Sequence, residues 1–82
     1  MMNLQQRKTI YRARRGLKEL DIYFDPYVRQ YYLNASETEQ KLFEELIECE
    51  DPDLLDWFMN EDKSPSEEIK VFIQKLKCYI HG

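Results

Sequence analysis

Glycine and proline, the residues that most often punctuate a backbone, occupy only five of the 82 positions: Gly16, Pro26, Pro52, Pro65 and Gly82. Between these breaks and a cap signal at Ser36, apolar side chains recur every three or four residues, which is the helical period. The chain is therefore cut into helix-length pieces, and strands have no place in it. Leu4 to Arg14 holds good helix formers with a thin apolar stripe of Leu4, Ile10, Tyr11 and Ala13, then Arg14 and Arg15 where a helix C-terminus favours cations, then Gly16 as a stop.

From Leu17 a second stripe runs through Leu20, Phe24, Val28 and Tyr31. Pro26 lacks a backbone donor, which predicts a kink or short break near Phe24 to Pro26, with the helix resuming toward Leu33. Ser36 and Glu39 form a capping-box pattern that opens a third helix, roughly Glu37 to Cys49, with Leu42, Phe43, Leu46, Ile47 and Cys49 inward. Asp51 as cap and Pro52 as first helical residue open a fourth, Pro52 to Met59. Ser64-Pro65 repeats that pattern before a fifth helix to about Ile80, with Ile69, Phe72, Ile73, Leu76 and Ile80 inward. The expectation is an all-α fold, a compact five-helix bundle forming a single domain over residues 1–82.

A chain of this length buries only about 60–65% of its unfolded surface, which leaves little core to enclose an active site. Eleven aromatic residues, six of them Tyr, nevertheless give it enough to fold. Nucleophilic catalysis needs a nucleophile beside an oriented base. The single histidine, His81, is next to last and reads as a solvated terminal group, and Cys78 as a small buried thiol. No enzyme activity and no catalytic residue are expected.

Cys49, Cys78 and His81 lack the paired spacing of a structural zinc site, and the acids around Asp51-Pro52-Asp53 read as caps and surface carboxylates, so no metal is expected either. With Gly16 as the one internal glycine, a phosphate-cradling loop is excluded. No apolar run approaches the ~20 residues that span a bilayer, and Met1 to Gln6 has no signal-peptide core. Two distant cysteines fit reduced thiols. These features predict a cytoplasmic protein without membrane insertion.

Net charge is −4, but its distribution is uneven. Residues 1–18 carry Arg7, Lys8, Arg12, Arg14, Arg15 and Lys18 with no acid, whereas residues 37–62 carry eleven acids against Lys41 alone. The basic first helix admits one rival reading, a small nucleic-acid-associated or antitoxin-like regulator. The acidic block would repel phosphates, so no nucleic-acid partner is expected.

At the junction of the first two predicted helices lies Arg14-Arg15-Gly16-Leu17-Lys18-Glu19-Leu20-Asp21. Read as structure alone, Gly16 is a left-handed cap and Arg15 pairs with Glu19 across a turn, worth about 0.2–0.5 kcal/mol. Read functionally, a position without a side chain, flanked by arginine and carboxylates, lets a partner backbone approach while charges fix its register. Tyr11, Tyr23, Tyr27 and Tyr32 exceed what the inward stripes hold and add amphipathic aromatics suited to an interface.

Arg15-Gly16-x-x-Glu19, within that run, resembles the signature of the SdhE family of bacterial succinate dehydrogenase flavinylation factors, related to a mitochondrial assembly factor. A second block, Leu46-Ile47-Glu48-Cys49-Glu50-Asp51-Pro52-Asp53-Leu54-Leu55-Asp56-Trp57-Phe58-Met59, is similar to the family's other characteristic stretch and stands at the right distance. The resemblance implies five helices and an assembly chaperone. Such a protein binds the flavoprotein subunit of succinate dehydrogenase, and often that of fumarate reductase, and promotes covalent attachment of FAD to a histidine there. The chemistry belongs to the partner, so no cofactor is held stably by this chain and no cofactor-binding residue is assigned. By position, Arg15, Gly16 and Glu19 are the motif residues facing the flavoprotein, with Arg14, Asp21 and Tyr11 as supporting contacts. Arg15 is expected to pair with a partner carboxylate or carbonyl, and a monomer is expected in isolation.

Overall fold

The computed structural model describes the backbone of residues 3–81 and the side chains of residues 3–80. Five α-helices follow one another: α1 (Leu4–Arg12), α2 (Lys18–Gln30), α3 (Glu37–Ile47), α4 (Asp51–Met59) and α5 (Glu67–His81), with 3-10 turns at Tyr32–Asn34 and Glu61–Lys63. The all-α expectation holds, and no strand occurs among the described residues.

Helix α1 is opened by a capping box that the sequence reading passed over. The Asn3 side chain accepts from the Gln6 amide at 2.8 Å, and the Gln6 side chain accepts from the Asn3 amide at 2.9 Å. Its inward face differs from the expected stripe, because Leu4 and Tyr11 are exposed at 68% and 82% while Thr9 and Ala13 are buried. A threonine can sit there because its hydroxyl donates to the Gln5 carbonyl at 2.9 Å.

Pro26 does not break α2, which stays helical from Lys18 to Gln30. Ile22, whose carbonyl loses its donor, lies on the exposed face one turn before Pro26, and burial of Phe24, Tyr27 and Val28 outweighs one missing bond. The helix ends at Gln30 rather than Leu33, giving way to the 3-10 turn.

Three expected caps are rearranged. Ser36 does accept from the Glu39 amide at 3.1 Å, but the Glu39 carboxylate turns to other partners instead of closing the box. Glu50 rather than Asp51 holds the cap position of α4, leaving Asp51 as its first residue. Ser66, not Ser64, accepts from the Ile69 amide at the start of α5, at 3.2 Å.

The core is aromatic and centred on α2, which packs against α4 and α5 while α3 contacts α1 and α5. Phe24 meets Phe43 and Phe58 edge-on, each at 5.8 Å, and Tyr27 meets Phe72 edge-on at 5.5 Å. Such pairs each add about 0.5–1.5 kcal/mol beyond burial. Tyr27 and Tyr32, expected as spare interface tyrosines, are core residues at 1% and 0% exposure. Each buries its ring and passes its hydroxyl outward, Tyr27 donating to Glu39 at 2.7 Å and Tyr32 to Glu44 at 2.9 Å. Tyr23 is half-buried and stacks on Phe58 at 4.7 Å, so of the four only Tyr11 stands free of the bundle. Cys78, expected buried, is exposed, and the His81 side chain lies outside the described residues.

Glu39 also accepts from Lys75 of α5, so one carboxylate joins α2, α3 and α5. Burial pushes its pKa up, but the hydrogen bonds from Lys75 and Tyr27 outweigh that and hold it below the ordinary 4.5. A lowered folded-state pKa stabilises fully above the ordinary value and is lost as pH falls through the folded one. In acid melting series, wild type should lose melting temperature below pH 4.5 more steeply than Glu39→Gln, which starts less stable at neutral pH. Parallel curves would assign the acid sensitivity elsewhere.

Candidate docking surface

The corner between α1 and α2 is built around a residue with no side chain. Gly16 has φ +78°, the left-handed region where a Cβ costs about 1–2 kcal/mol, and an added Cβ would meet no atom within 4 Å. Glycine is therefore required by the backbone turn, while the space in front of it is open. That openness is what a partner's main chain could use.

Behind the glycine the corner is braced from three directions. The Arg15 backbone amide donates to Asp21 Oδ1 at 3.1 Å, closing the turn onto the first turn of α2. The Arg15 guanidinium, its side chain only 16% exposed, reaches across to the end of α3 and donates through Nη2 to the Ile47 and Cys49 carbonyls, the latter at 2.9 Å. Its Nε faces Asp51 Oδ1 at 3.5 Å. A cation at the C-terminus of α3 and an acid at the N-terminus of α4 both suit the helix dipoles. Arg15 is thus spent inside the protein, contrary to the expected pairing with a partner, and it does not pair with Glu19.

Arg12 joins the same brace one turn earlier. It makes a two-pronged contact with Glu48, whose second bond measures 3.1 Å. The uneven charge of the chain is partly cancelled internally, basic α1 lying on the acidic end of α3. Arg14 and Glu19 remain exposed, and neither side chain has an ion-pair partner among the described residues.

Arg14 stands between two shallow hollows. One, about 440 Å³, is lined by Arg14, Gly16, Asp21, Asp25 and Arg29; the other, about 340 Å³, by Arg7, Ile10, Tyr11 and Arg14. The expected site residues Tyr11, Arg14, Gly16 and Asp21 therefore line one continuous surface, with Glu19 exposed on the first turn of α2 and Arg15 behind it. Sequence reasoning missed Asp25 and Arg29, which form a 3.2 Å ion pair and whose i, i+4 spacing was the legible signal, and Asp51, disguised as a cap. A larger hollow of about 600 Å³ between α3 and α5 shares none of these residues.

Burial, then the nearby Asp53 charge, pushes the Cys49 thiol up despite Arg15, which makes a reactive thiolate unfavourable here. No group of three or more metal-ligating side chains occurs among the described residues.

Residues 7–79 match a family model described as flavinator of succinate dehydrogenase. The chain is 62% identical over 81 residues to the FAD assembly factor SdhE of Acinetobacter baylyi, an alignment covering 99% of this chain and 95% of that protein. It is 46% identical over 78 residues to the FAD assembly factor SdhE of Psychrobacter arcticus, covering 95% and 84%. With that of Haemophilus ducreyi it shares 32% over 82 residues, covering both chains completely.

The geometry separates Asp21 from its neighbour Asp25. Asp21→Ala removes the acceptor of the Arg15 amide and should destabilise by about 1–2 kcal/mol, whereas Asp25→Ala, losing an exposed pair, should stay within about 0.5 kcal/mol. Urea midpoints of the two variants check this; equal midpoints would show that the turn does not depend on Asp21.

Proposed function

The chain belongs to the family of succinate dehydrogenase flavinators that includes the FAD assembly factor SdhE, and from that premise we propose that its working surface is the Gly16 corner. The protein is an assembly chaperone that promotes FAD attachment to succinate dehydrogenase. On this reading it docks on the flavoprotein subunit through Gly16, Arg14, Glu19 and Tyr11, with Arg15 and Asp21 holding the corner from within. The observation that carries the proposal is the open left-handed glycine between two unpaired charges of opposite sign.

An 82-residue bundle with shallow hollows has nowhere to shelter a reaction. What it can offer is orientation. By binding one conformer of the flavoprotein more tightly than others, it raises the population in which flavin and acceptor side chain are aligned for attack. The bond-forming chemistry then stays with the partner, and this chain acts on flavin attachment without holding a flavin itself. Arg14 would meet a partner carboxylate or carbonyl, and Glu19 a partner base or amide, each fixing register more than adding affinity.

The proposal extends to the flavoprotein of fumarate reductase as a second client and to a monomeric working form. No described helix is long and apolar enough to cross a membrane; on this reading the protein works in the cytoplasm. Internal use of Arg12 and Arg15 removes two of the cations that a nucleic-acid reading would need.

Gly16→Ala and Gly16→Arg pay the same backbone strain, about 1–2 kcal/mol, so both should lose similar melting temperature. Binding to the flavoprotein subunit should separate them. The alanine variant should weaken it modestly and the arginine variant should abolish it. In cells lacking the protein, the in-gel fluorescence of covalent flavin on that subunit should vanish and return with wild type but not with Gly16→Arg. Wild-type affinity of the arginine variant would sink the proposal.

A further inference from the structure

We infer that Asp51, inside the chain's second motif block, is a positioning residue for the docking surface, acting on the Gly16 corner through Arg15. The inference rests on the docking reading above and adds a residue to it. Asp51 begins α4, yet in space it faces the arginine that precedes Gly16, across 3.5 Å from Oδ1 to Nε. Both of those atoms are buried, and neither has a hydrogen-bond partner.

The charge balance shows why Asp51 is needed. Arg15 lends its guanidinium to the Ile47 and Cys49 carbonyls, which carry partial negative charge but cannot neutralise a buried cation. Among the described residues, Asp51 is the one full negative charge paired with it. Without that charge the guanidinium is better solvated in water than in the cleft, and it leaves. The two carbonyls then lose their donor, and the Arg15 backbone, one residue from Gly16, is held by Asp21 alone. The corner survives as a turn but no longer at a fixed height over the end of α3.

A docking surface that works by register loses affinity when its framework moves, even if every contacting side chain is present. Asp51 itself lines neither hollow. Asp53, two residues on in the same first turn of α4, is exposed and has no part in the brace. It supplies the control, since removing it costs α4 an N-terminal acid but leaves Arg15 untouched.

The test is a double-mutant cycle read as Kd for the apo flavoprotein subunit of succinate dehydrogenase, at a temperature where urea curves show each variant folded. Asp51→Asn should weaken binding about tenfold, and Asp53→Asn should bind as wild type. In an Arg15→Met background, which removes the cation, Asp51→Asn should cause no further loss, whereas Glu19→Gln should still multiply with it. Wild-type affinity of Asp51→Asn, an equal loss in Asp53→Asn, or independent losses for positions 15 and 51 would overturn the inference. If Asp51→Asn is not stably folded, the cycle is run with Asp51→Glu, which should weaken binding severalfold alone and not at all beside Arg15→Met. Gly16→Arg distinguishes the two levels: if it binds normally the docking reading fails, and if it abolishes binding while Asp51→Asn binds normally, only the positioning role fails.

Discussion

One guanidinium, that of Arg15, lies between the end of α3 and the start of α4, and the usable surface of the protein follows from where it is held. It reaches the carbonyls at the end of one helix and the first acid of the next, so the dipole of α3 favours the cation while the Asp51 carboxylate answers the positive start of α4. Because its own backbone belongs to the α1–α2 corner, that one contact fixes three helix ends relative to each other. A lysine could supply the charge but not a planar group that meets the carbonyls with one nitrogen and faces Asp51 with another. The aromatic core around Phe24, Tyr27 and Phe43 makes the bundle stable, but it lies too deep to set the height of a surface turn. The polar brace does that.

The same arrangement divides the chain's charges into two populations. Arg12 and Arg15 are neutralised by Glu48 and Asp51, and Lys75 by Glu39, all joining segments far apart in sequence. Arg14 and Glu19, neighbours of those residues, remain solvated. The partly buried Arg15–Asp51 and Lys75–Glu39 pairs keep much of their strength in salt, while the exposed Arg12–Glu48 pair is weakened by it and the solvated charges are screened beyond about 8–10 Å. Assembly of the fold and attraction of a partner therefore draw on adjacent residues under different electrostatic rules. A motif that looks uniform in sequence contains both kinds.

Much of this was legible in the sequence, and the failures are informative. Apolar spacing placed all five helices, and Gly16 announced a left-handed turn because little else explains a lone glycine after paired arginines. Local rules failed where a residue had a better distant partner. Glu39 fits a capping box, but Tyr27 and Lys75 offer it two hydrogen bonds where the box offers one. Asp51 fits a cap, but a buried cation is the stronger claim. Tyr27 and Tyr32 looked surplus because the inward stripes were drawn too narrow to hold them; a ring that buries while its hydroxyl exits to a glutamate fits the core. The site's outer residues were readable one by one, and its inner support was not, because it joins positions 15, 47, 49 and 51 across two turns.

Arg15 and Gly16 are consecutive, and their demands differ in kind. Gly16 is constrained by its own φ and by what must fit in front of it, and any side chain offends both. Arg15 is constrained by what lies behind it, and a partner need never touch it. A chaperone this small has no second layer of structure to stiffen a binding loop, so one residue of the motif must do the stiffening from inside. That explains why the arginine, glycine and glutamate occur as a unit even though their side chains do not meet. The spacing records a turn of fixed shape whose rear is anchored by the first residue, whose front is cleared by the second, and whose charge toward a partner is set by the third.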